Sequence, residues 1–325
     1  CFLIPIVGTS GFYEKEVQAP SIEENKVINN EEKNTYDYKE YQKVKILHSK
    51  TNVIEEMDLD QYLYGVVSSE MPADFQLEAL KAQAVVARTY TIYKIIHNAS
   101  KHGEAAICDD STCCQAWISK EDRMNRWEEG AREENWRKIE NAVNDTQGKI
   151  ITYNGEPINA FFHSNSGGTT EIPINVWGGS GYPYLQTVQT AGETDYAQYA
   201  SEVVMEKQDF IQKVKEKHSE FEINWEEMDC VKILEYTESG RVRTLKLGNI
   251  SLSGVEARSL FGLRSSNFEI TKENEQIKFK VKGYGHGIGM SQTGADSMAK
   301  NGNNYEEIIK HFYSGVEIKY MNEIM

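Results

Sequence analysis

One alanine-rich segment, residues 73–97, restricts the fold of this chain more than any other part of the sequence. Its apolar residues recur at steps of three and four, which predicts an amphipathic helix with one broad buried face. Its alanines allow neighbouring elements to approach closely, and Pro72 stands just before it, as proline often does near a helix start. We therefore expect a long buried helix packed on antiparallel strands.

The rest of the chain favours the α+β class. Helix-like and strand-like stretches are mixed without a regular βαβ period. The clearest hairpin signal is Asn154-Gly155, which stands between two apolar stretches. Residues 13–43 are rich in Glu, Lys and Asn, a composition typical of a flexible segment. The expected organisation is a tether at 1–43, a core at 44–198 and 276–325, and a smaller inserted or second α+β subdomain at 199–275.

The charge of the chain argues against two classes of partner. The 325 residues carry 35 Lys and Arg against 50 Asp and Glu, a formal net charge of −15. Nucleic-acid binding and loose adhesion to anionic lipid both need a basic surface, so we expect neither. The short apolar start, residues 1–7, is expected to be the end of a deleted membrane helix or export signal. A lipid-modified Cys1 and a frayed apolar terminus are the alternatives.

Glu70 is the first candidate for chemistry. It is a carboxylate inside an apolar stretch, at the mouth of the expected helix. Desolvation raises the pKa of a carboxylic acid because the charged form loses its hydration. A glutamate that stays protonated near neutral pH can act as a general acid. The structural alternative is a glutamate in the first helical turn, stabilised by the N-terminal dipole.

Two polar loops that contain glycine and histidine are the next candidates. Residues 162–171 include His163, and residues 283–294 include His286 between two glycines. Alternating glycines let backbone approach a ligand closely, although the spacing matches neither a dinucleotide-binding motif nor a P-loop. The serines lack the elbow of a serine hydrolase, so binding of a polar substrate is the better hypothesis. Trp177, Tyr182 and Tyr184 either stack on sugar faces or pack in the core.

A histidine and three of the five cysteines lie within residues 102–114. Thiolates with an imidazole in a short polar loop suit Zn²⁺. We expect His102, Cys108 and Cys114 to be the ligands, with Cys113 as the alternate because adjacent cysteines rarely both face one metal. A disulfide from Cys108 to one of the adjacent pair, or free thiols, are the alternatives.

Several of these segments together resemble the stage II sporulation protein D family, which also includes amidase-enhancer domains. The resemblance runs from about residue 44 to residue 313. The Cys/His group as a whole is not a general trait of that family, although Cys114 stands in one of the shared motifs. The motifs that carry it are Ser69-Glu70-Met71-Pro72, residues 78–90, Cys114-Gln115, His163-Ser164, residues 166–171, Trp177, residues 183–185, 252–254 and 261–263, Gly285-His286-Gly287 and residues 289–295.

The resemblance implies a lytic transglycosylase that cleaves peptide-stripped glycan strands of peptidoglycan during forespore engulfment. It implies that Glu70 is the catalytic acid and base, and that a peptidoglycan amidase acts first on the stem peptides. It also implies a membrane anchor, which would place the protein outside the cytoplasm, in the space between mother cell and forespore.

Only one carboxyl group, that of Glu70, is singled out in these motifs. This agrees with a lytic transglycosylase, which needs one carboxylate, whereas a usual glycosidase needs two. Arg88 is expected to orient Glu70 or a muramyl carboxylate. Two other classes remain as alternatives: a non-catalytic glycan-binding module that stimulates an amidase, and a zinc hydrolase built on His102 and the cysteines. The expected substrate-binding residues are Arg88, His163, Ser164, Ser166, Tyr184, His286, Met290, Ser291 and Gln292.

Overall fold

The computed structural model describes residues 41–97, 101–179 and 181–324. Helices and strands are interspersed along these ranges, so the predicted α+β class is confirmed. The predictions for Cys1 and for the tether lie outside the described residues, apart from residues 41–43. Within the described ranges, no helix is both long and apolar enough to cross a membrane.

The helices alternate with short strands. The helices are α1 (Leu59–Glu70), α2 (Leu77–Ile96), α3 (Lys120–Arg126), α4 (Arg132–Asn144), α5 (Ile174–Trp177), α6 (Lys207–Lys215), α7 (Gly254–Phe261), α8 (Gln292–Lys300) and α9 (Tyr305–Phe312). The strands are β1 (Lys43–His48), β2 (Val53–Asp58), β3 (Ile107–Cys108), β4 (Lys149–Tyr153), β5 (Glu156–Pro157), β6 (Phe162–His163), β7 (Ala200–Glu206), β8 (Val231–Tyr236), β9 (Val242–Leu247), β10 (Ile250–Ser253), β11 (Phe268–Glu273), β12 (Gln276–Lys282), β13 (Met290–Ser291) and β14 (Glu317–Tyr320).

The long central helix is α2, and it is more deeply buried than its sequence predicted. Every residue from 82 to 92 is buried, rather than one broad face only. Helices α1, α4, α8 and α9 and strand β4 all contact it, so the small alanine side chains meet neighbours on every side. The helix begins at Leu77 instead of residue 73, because residues 73–76 form a turn in which the Gln76 N–H donates to the Asp296 carboxylate at 2.6 Å.

The predicted hairpin is confirmed. Asn154 and Gly155 both have positive φ, at 54° and 85°, as the tight turn between β4 and β5 requires. Strand β14 pairs antiparallel with β4 on its other edge, so the last strand of the chain closes the sheet beside α2.

A second apolar cluster is formed by α6, α7 and the sheets β10-β9-β8 and β11-β12-β7. Strand β12 pairs with both β7 and β11 and contributes Ile277, Phe279 and Val281 to this cluster. The sequence predicts that this strand belongs to the core, residues 44–198 and 276–325. The structure instead assigns it to the second cluster, because its alternating apolar face packs on α6 and α7. The division into domains itself stays a prediction.

The two polar loops are joined by a short parallel pairing of β6 and β13. Phe162 lies opposite Met290, and His163 lies opposite Ser291. Residues more than 120 positions apart in sequence therefore become neighbours. They lie where α8 begins, at one edge of the first core, which is the apolar cluster around α2.

Candidate active site

Glu70 is the last residue of α1, so the alternative of a first-turn glutamate on the buried helix is wrong. Its carboxylate lies against two other parts of the chain. Oε1 accepts a hydrogen bond from the Ala116 N–H at 2.5 Å, and Oε2 accepts a long one from the Gln292 side-chain amide at 3.4 Å. Glu70 keeps some exposed surface, while protein surrounds most of its carboxylate.

Burial raises the pKa of Glu70 from its ordinary value of 4.5 to about 7. The hydrogen bonds from Ala116 and Gln292 lower the pKa, but they do not offset the lost hydration. The position at a helix C-terminus also disfavours negative charge, since the partial charge there is negative. The carboxyl group can therefore carry a proton near neutral pH.

Gln292 is the first residue of α8, and the N-cap of that helix fixes its backbone. The Ser291 side chain accepts a hydrogen bond from the Gly294 N–H, as a capping serine does. The Gln292 amide then lies between Glu70 and the buried side chain of Gln83, whose Oε1 is 3.5 Å away. The glutamine is 5% exposed, and its amide helps to orient the carboxylate.

The two histidines of the polar loops are neighbours, with ring centroids 5.7 Å apart. His163 Nδ1 lies 3.1 Å from the Ile288 carbonyl and donates to it, while His286 Nδ1 accepts from the Ile288 N–H at 3.0 Å. Burial lowers the pKa of His163 to about 3 and that of His286 well below its ordinary value. Both rings are therefore neutral, and His286 also contacts Trp177 at 5.3 Å between centroids.

Ser166 and Ser291 are both fully buried and bind a carboxylate that sequence reasoning missed. Glu193 accepts from the Ser166 hydroxyl at 2.5 Å, from the Ser166 N–H at 3.1 Å and from the Ser291 hydroxyl. The prediction that these serines contact substrate is corrected: they hold the two polar loops to Glu193. No motif marked Glu193, because its role arises only when the loops meet.

Three other predicted substrate-binding residues are buried structural residues instead. Arg88 has a side chain with no exposed surface, and it donates to the carbonyl oxygens of Thr146 at 2.8 Å and Lys149 at 3.2 Å. It therefore ties α2 to the turn before β4. Tyr184 is 7% exposed, and Met290 is fully buried in the first core. Of the predicted set, Ser164 and His286 keep partial exposure.

The histidine and the three cysteines of residues 102–114 form one group, with ligand atoms all within 4.8 Å of one another. His102 Nε2 lies 3.5 Å from Cys113 Sγ and 3.4 Å from Cys114 Sγ. In a tetrahedral zinc site, ligand atoms are separated by roughly 3.5–3.8 Å, and the two distances from His102 are close to that spacing. Cys113, which sequence reasoning ranked as an alternate, lies with the others. All three thiols, including Cys108, are free.

The thiolate-imidazole group is two residues away from the Glu70 contact. Cys114 is followed by Gln115, whose side-chain amide donates to the Tyr62 hydroxyl at 2.8 Å and to Thr91 Oγ1 at 2.9 Å. The next residue is Ala116, the donor to Glu70. A single residue, Gln115, therefore separates the last cysteine of the loop from the backbone donor to Glu70.

Together these features define a mixed α+β protein with a protonatable carboxylate beside a group of soft ligands. Comparison with known sequences identifies the family. A family model described as Stage II sporulation protein matches residues 47–153. The stage II sporulation protein D of Bacillus amyloliquefaciens is 36% identical over 277 residues, covering 85% of this chain and 78% of that protein.

The corresponding protein of Bacillus subtilis (strain 168) is 35% identical over 278 residues, covering 84% of this chain and 78% of that protein. An amidase enhancer of the same strain is 29% identical over 311 residues, covering 79% of this chain and 40% of that protein. The chain belongs to the stage II sporulation protein D family.

Proposed function

We propose that this protein is a peptidoglycan lytic transglycosylase that acts in sporulation, with Glu70 as general acid and then general base. The observation that carries the proposal is a carboxyl group whose pKa is raised by burial to about 7 at an interior helix end. A group with that proton affinity can both give and take a proton at neutral pH. Membership of the sporulation family supports the biological setting.

Two proton transfers make up the reaction. The Glu70 carboxyl protonates the glycosidic oxygen between N-acetylmuramic acid and N-acetylglucosamine, and that C–O bond breaks. The resulting carboxylate then takes the proton from the 6-hydroxyl of the same muramyl residue, whose oxygen bonds to C1 and closes the 1,6-anhydro ring. The proton returns to Glu70, and no water is consumed. One carboxylate suffices, in contrast to the pair of a hydrolytic glycosidase.

Two donors prepare Glu70 for these steps. Ala116 donates to Oε1 at 2.5 Å, which leaves Oε2 as the oxygen that carries the transferable proton. Gln292 lies 3.4 Å from Oε2 and makes a long, weak contact with it. The partly exposed residues Ser164 and His286 supply polar groups for N-acetyl and hydroxyl groups of the glycan strand.

We also propose that His102, Cys108, Cys113 and Cys114 hold Zn²⁺. Bound zinc would supply a structural cross-link for the cysteine loop, as thiolate-rich sites usually do. Metal analysis of the purified protein should find stoichiometric zinc, and Cys108→Ser should lower both the zinc content and the melting temperature. Equal zinc content in that variant and in wild type would overturn the ligand assignment.

The product of the reaction provides the first test. Peptide-stripped glycan strands are incubated with the protein, and the soluble products are weighed by mass spectrometry. A muramyl product one water lighter than the hydrolytic sugar, absent with Glu70→Gln, is the expected result. Glu171→Gln is the comparison variant, because it changes a second buried glutamate whose carboxylate contacts neither Ala116 nor Gln292. Reducing-end products would instead indicate a hydrolase.

A second candidate function is supported by the amidase enhancer among the relatives. In this case the protein binds glycan strands and stimulates a peptidoglycan amidase without cleaving the glycan. Glycan binding with no anhydro product, and amidase stimulation that survives Glu70→Gln, would favour it. In either case we propose an extracytoplasmic location at the cell membrane between mother cell and forespore. Protection of the protein from external protease until the outer membrane is opened would support that location.

A further inference from the structure

Gly65, in the middle of α1, faces the indole of Trp117 without leaving room for a side chain. A Cβ atom built on Gly65 would lie 2.2 Å from Trp117 Nε1, 2.6 Å from its Cδ1 and 2.7 Å from the Ile118 carbonyl oxygen. Glycine is a less stable choice than alanine in a helix interior. Its presence in α1 is therefore explained by the segment that lies on it.

The position of Trp117 is set by shape rather than by a polar anchor. Its Nε1 is buried and has no hydrogen-bond partner among the described residues. On its other side the indole contacts the ring of His48, with centroids 5.2 Å apart. The indole is thus held between β1 and the notch that Gly65 leaves in α1.

The same segment meets α1 at a second point, which is the Glu70 carboxylate. Ala116 donates to Glu70, and the next residue, Trp117, occupies the notch at Gly65. The two contacts lie five residues apart on one helix, and adjacent residues of one segment make them. A displacement of the indole from the notch would therefore be expected to move the Ala116 amide relative to Oε1. This distance matters, because the amide is the closest donor to Glu70 among the described residues.

We propose that Gly65, acting through Trp117, is a positioning residue that holds the Ala116 amide against the Glu70 carboxyl group. The proposal rests on the proposed function for calling Glu70 the reacting acid. The placement of the amide is a separate claim, and it is tested without turnover.

Other groups face Glu70 and define the background of the test. Tyr62, two turns earlier on α1, is the titratable group coupled to it electrostatically. Gln292 on α8 faces it as a neutral amide, and Gln83 on α2 contacts that glutamine. Cys114 precedes the Ala116 segment. The variants below leave all four unchanged.

Gly65→Ala is expected to push Trp117 outward and lengthen the Ala116 contact. Because this hydrogen bond lowers the pKa of Glu70, its loss should raise that pKa further above about 7. The alkaline limb of the pH–rate profile should move upward, and kcat should fall about 10-fold or more with little change in KM. Gly130→Ala is the control, since a Cβ there meets nothing within 4 Å.

The deciding experiment is a ¹³C-NMR titration of the Glu70 carboxyl group in full-length protein, assigned by its loss in Glu70→Gln. Trp117→Leu makes room for the extra methyl, so Gly65→Ala should shift the pKa in the wild-type background and add nothing in Trp117→Leu. Trp117→Leu alone should raise the pKa too, which keeps the proposal testable where Gly65→Ala does not fold.

An unchanged Glu70 pKa in both folded single variants would overturn the proposal. So would a shift from Gly65→Ala of the same size with and without the indole, because the effect would then not pass through Trp117. A pKa that shifts as expected in a protein that forms no anhydro product would uphold the positioning role and refute the proposed function.

Discussion

Glu70 and Glu171 both have carboxylates that protein largely shields from water, but they differ in how many hydrogen-bond donors contact them. Glu171 is 1% exposed, and its carboxylate accepts four hydrogen bonds of 2.6–2.8 Å. Burial raises its pKa, but the bonds from Thr237, Ser239, Asn175 and the Ile172 N–H outweigh burial and hold it below its ordinary value. Glu70 has one short bond and one long bond, and burial prevails.

The comparison shows that burial alone does not make an acid of a glutamate. What distinguishes the Glu70 site is a shortage of donors, which leaves the neutral form favoured at a pH where Glu171 is ionised. Glu171 instead connects the two apolar clusters, because Thr237 and Ser239 belong to the turn before β9 while Glu171 belongs to the first polar loop. One carboxylate can stay protonated near neutral pH, and the other holds two parts of the fold together.

The largest expected effect is on the rate of Glu70→Gln. The amide keeps the shape of the side chain and cannot donate an acidic proton, so glycan cleavage should fall by about 10²–10⁴-fold. Initial rates of anhydro product formation measure this, beside Glu171→Gln as control. A Glu171→Gln protein that remains folded but loses as much activity would break the contrast between the two carboxylates.

The next effect is on stability, when donors are removed from Glu171. Thr237→Val with Ser239→Ala should lower the free energy of unfolding by about 2–4 kcal/mol, because two bonds to a buried charge are lost. The pKa of Glu171 should rise, so less stability is lost as the pH falls through the acid range. Urea unfolding between pH 3 and about 7 tests this. Thr271→Val on an exposed strand serves as control, and equal losses in both would contradict the role of Glu171.

A smaller effect is the pH dependence of stability that Glu70 causes. Its folded pKa of about 7 lies above the ordinary 4.5, so the stability it contributes is fully present below about 4.5 and is lost as the pH rises through about 7. Glu70→Gln removes this pH-dependent loss. As the pH rises from acid to mildly alkaline, the free energy of unfolding of the variant should therefore rise by about 1–3 kcal/mol relative to that of wild type. If the free energies of unfolding of the two proteins changed with pH in parallel, the pKa of Glu70 would not be raised in the folded state.

The smallest expected effect follows from removing the weaker donor to Glu70. Gln292→Leu deletes a bond of 3.4 Å, so the rate should fall by only about 3–10-fold and the alkaline limb should move slightly upward. Gln208→Leu, on the exposed face of α6, is the matched control. A loss as large as that of Glu70→Gln would mean that Gln292 contacts the reacting sugar directly.

The sequence predicted local features of the fold correctly, but it did not predict which strands distant in the chain pair with each other. The Asn154-Gly155 turn is specified by two residues, and its hairpin was predicted correctly. The alternating pattern of β12 predicted a strand but not the strands that flank it. Its partner β7 lies 70 positions earlier at the Gln276–Glu206 pair. The full burial of α2 likewise depends on elements that arrive from other parts of the chain.

The candidate site divides in the same way. Glu70, Gln292 and the cysteine group were marked by residue chemistry and by motif, and the structure places each beside a partner. The contact from Ala116 could not be predicted, because its donor is a backbone N–H, which every residue except proline has. Glu193 escaped prediction because its meaning depends on two serines 125 positions apart, Ser166 and Ser291. Buried networks of this kind cannot be inferred from residue type alone.

The separation of Glu70 and Gln292, 222 positions along the chain, has a consequence for biosynthesis. Glu70 contributes the carboxyl group, whereas Gln292 follows 222 positions later, directly after β13, the strand that completes the two-residue pairing with β6. A nascent chain still held near its C-terminal end therefore has no complete site. Premature termination before α8 leaves a fragment without Gln292, so the proposed active site is complete only after α8 has been synthesised.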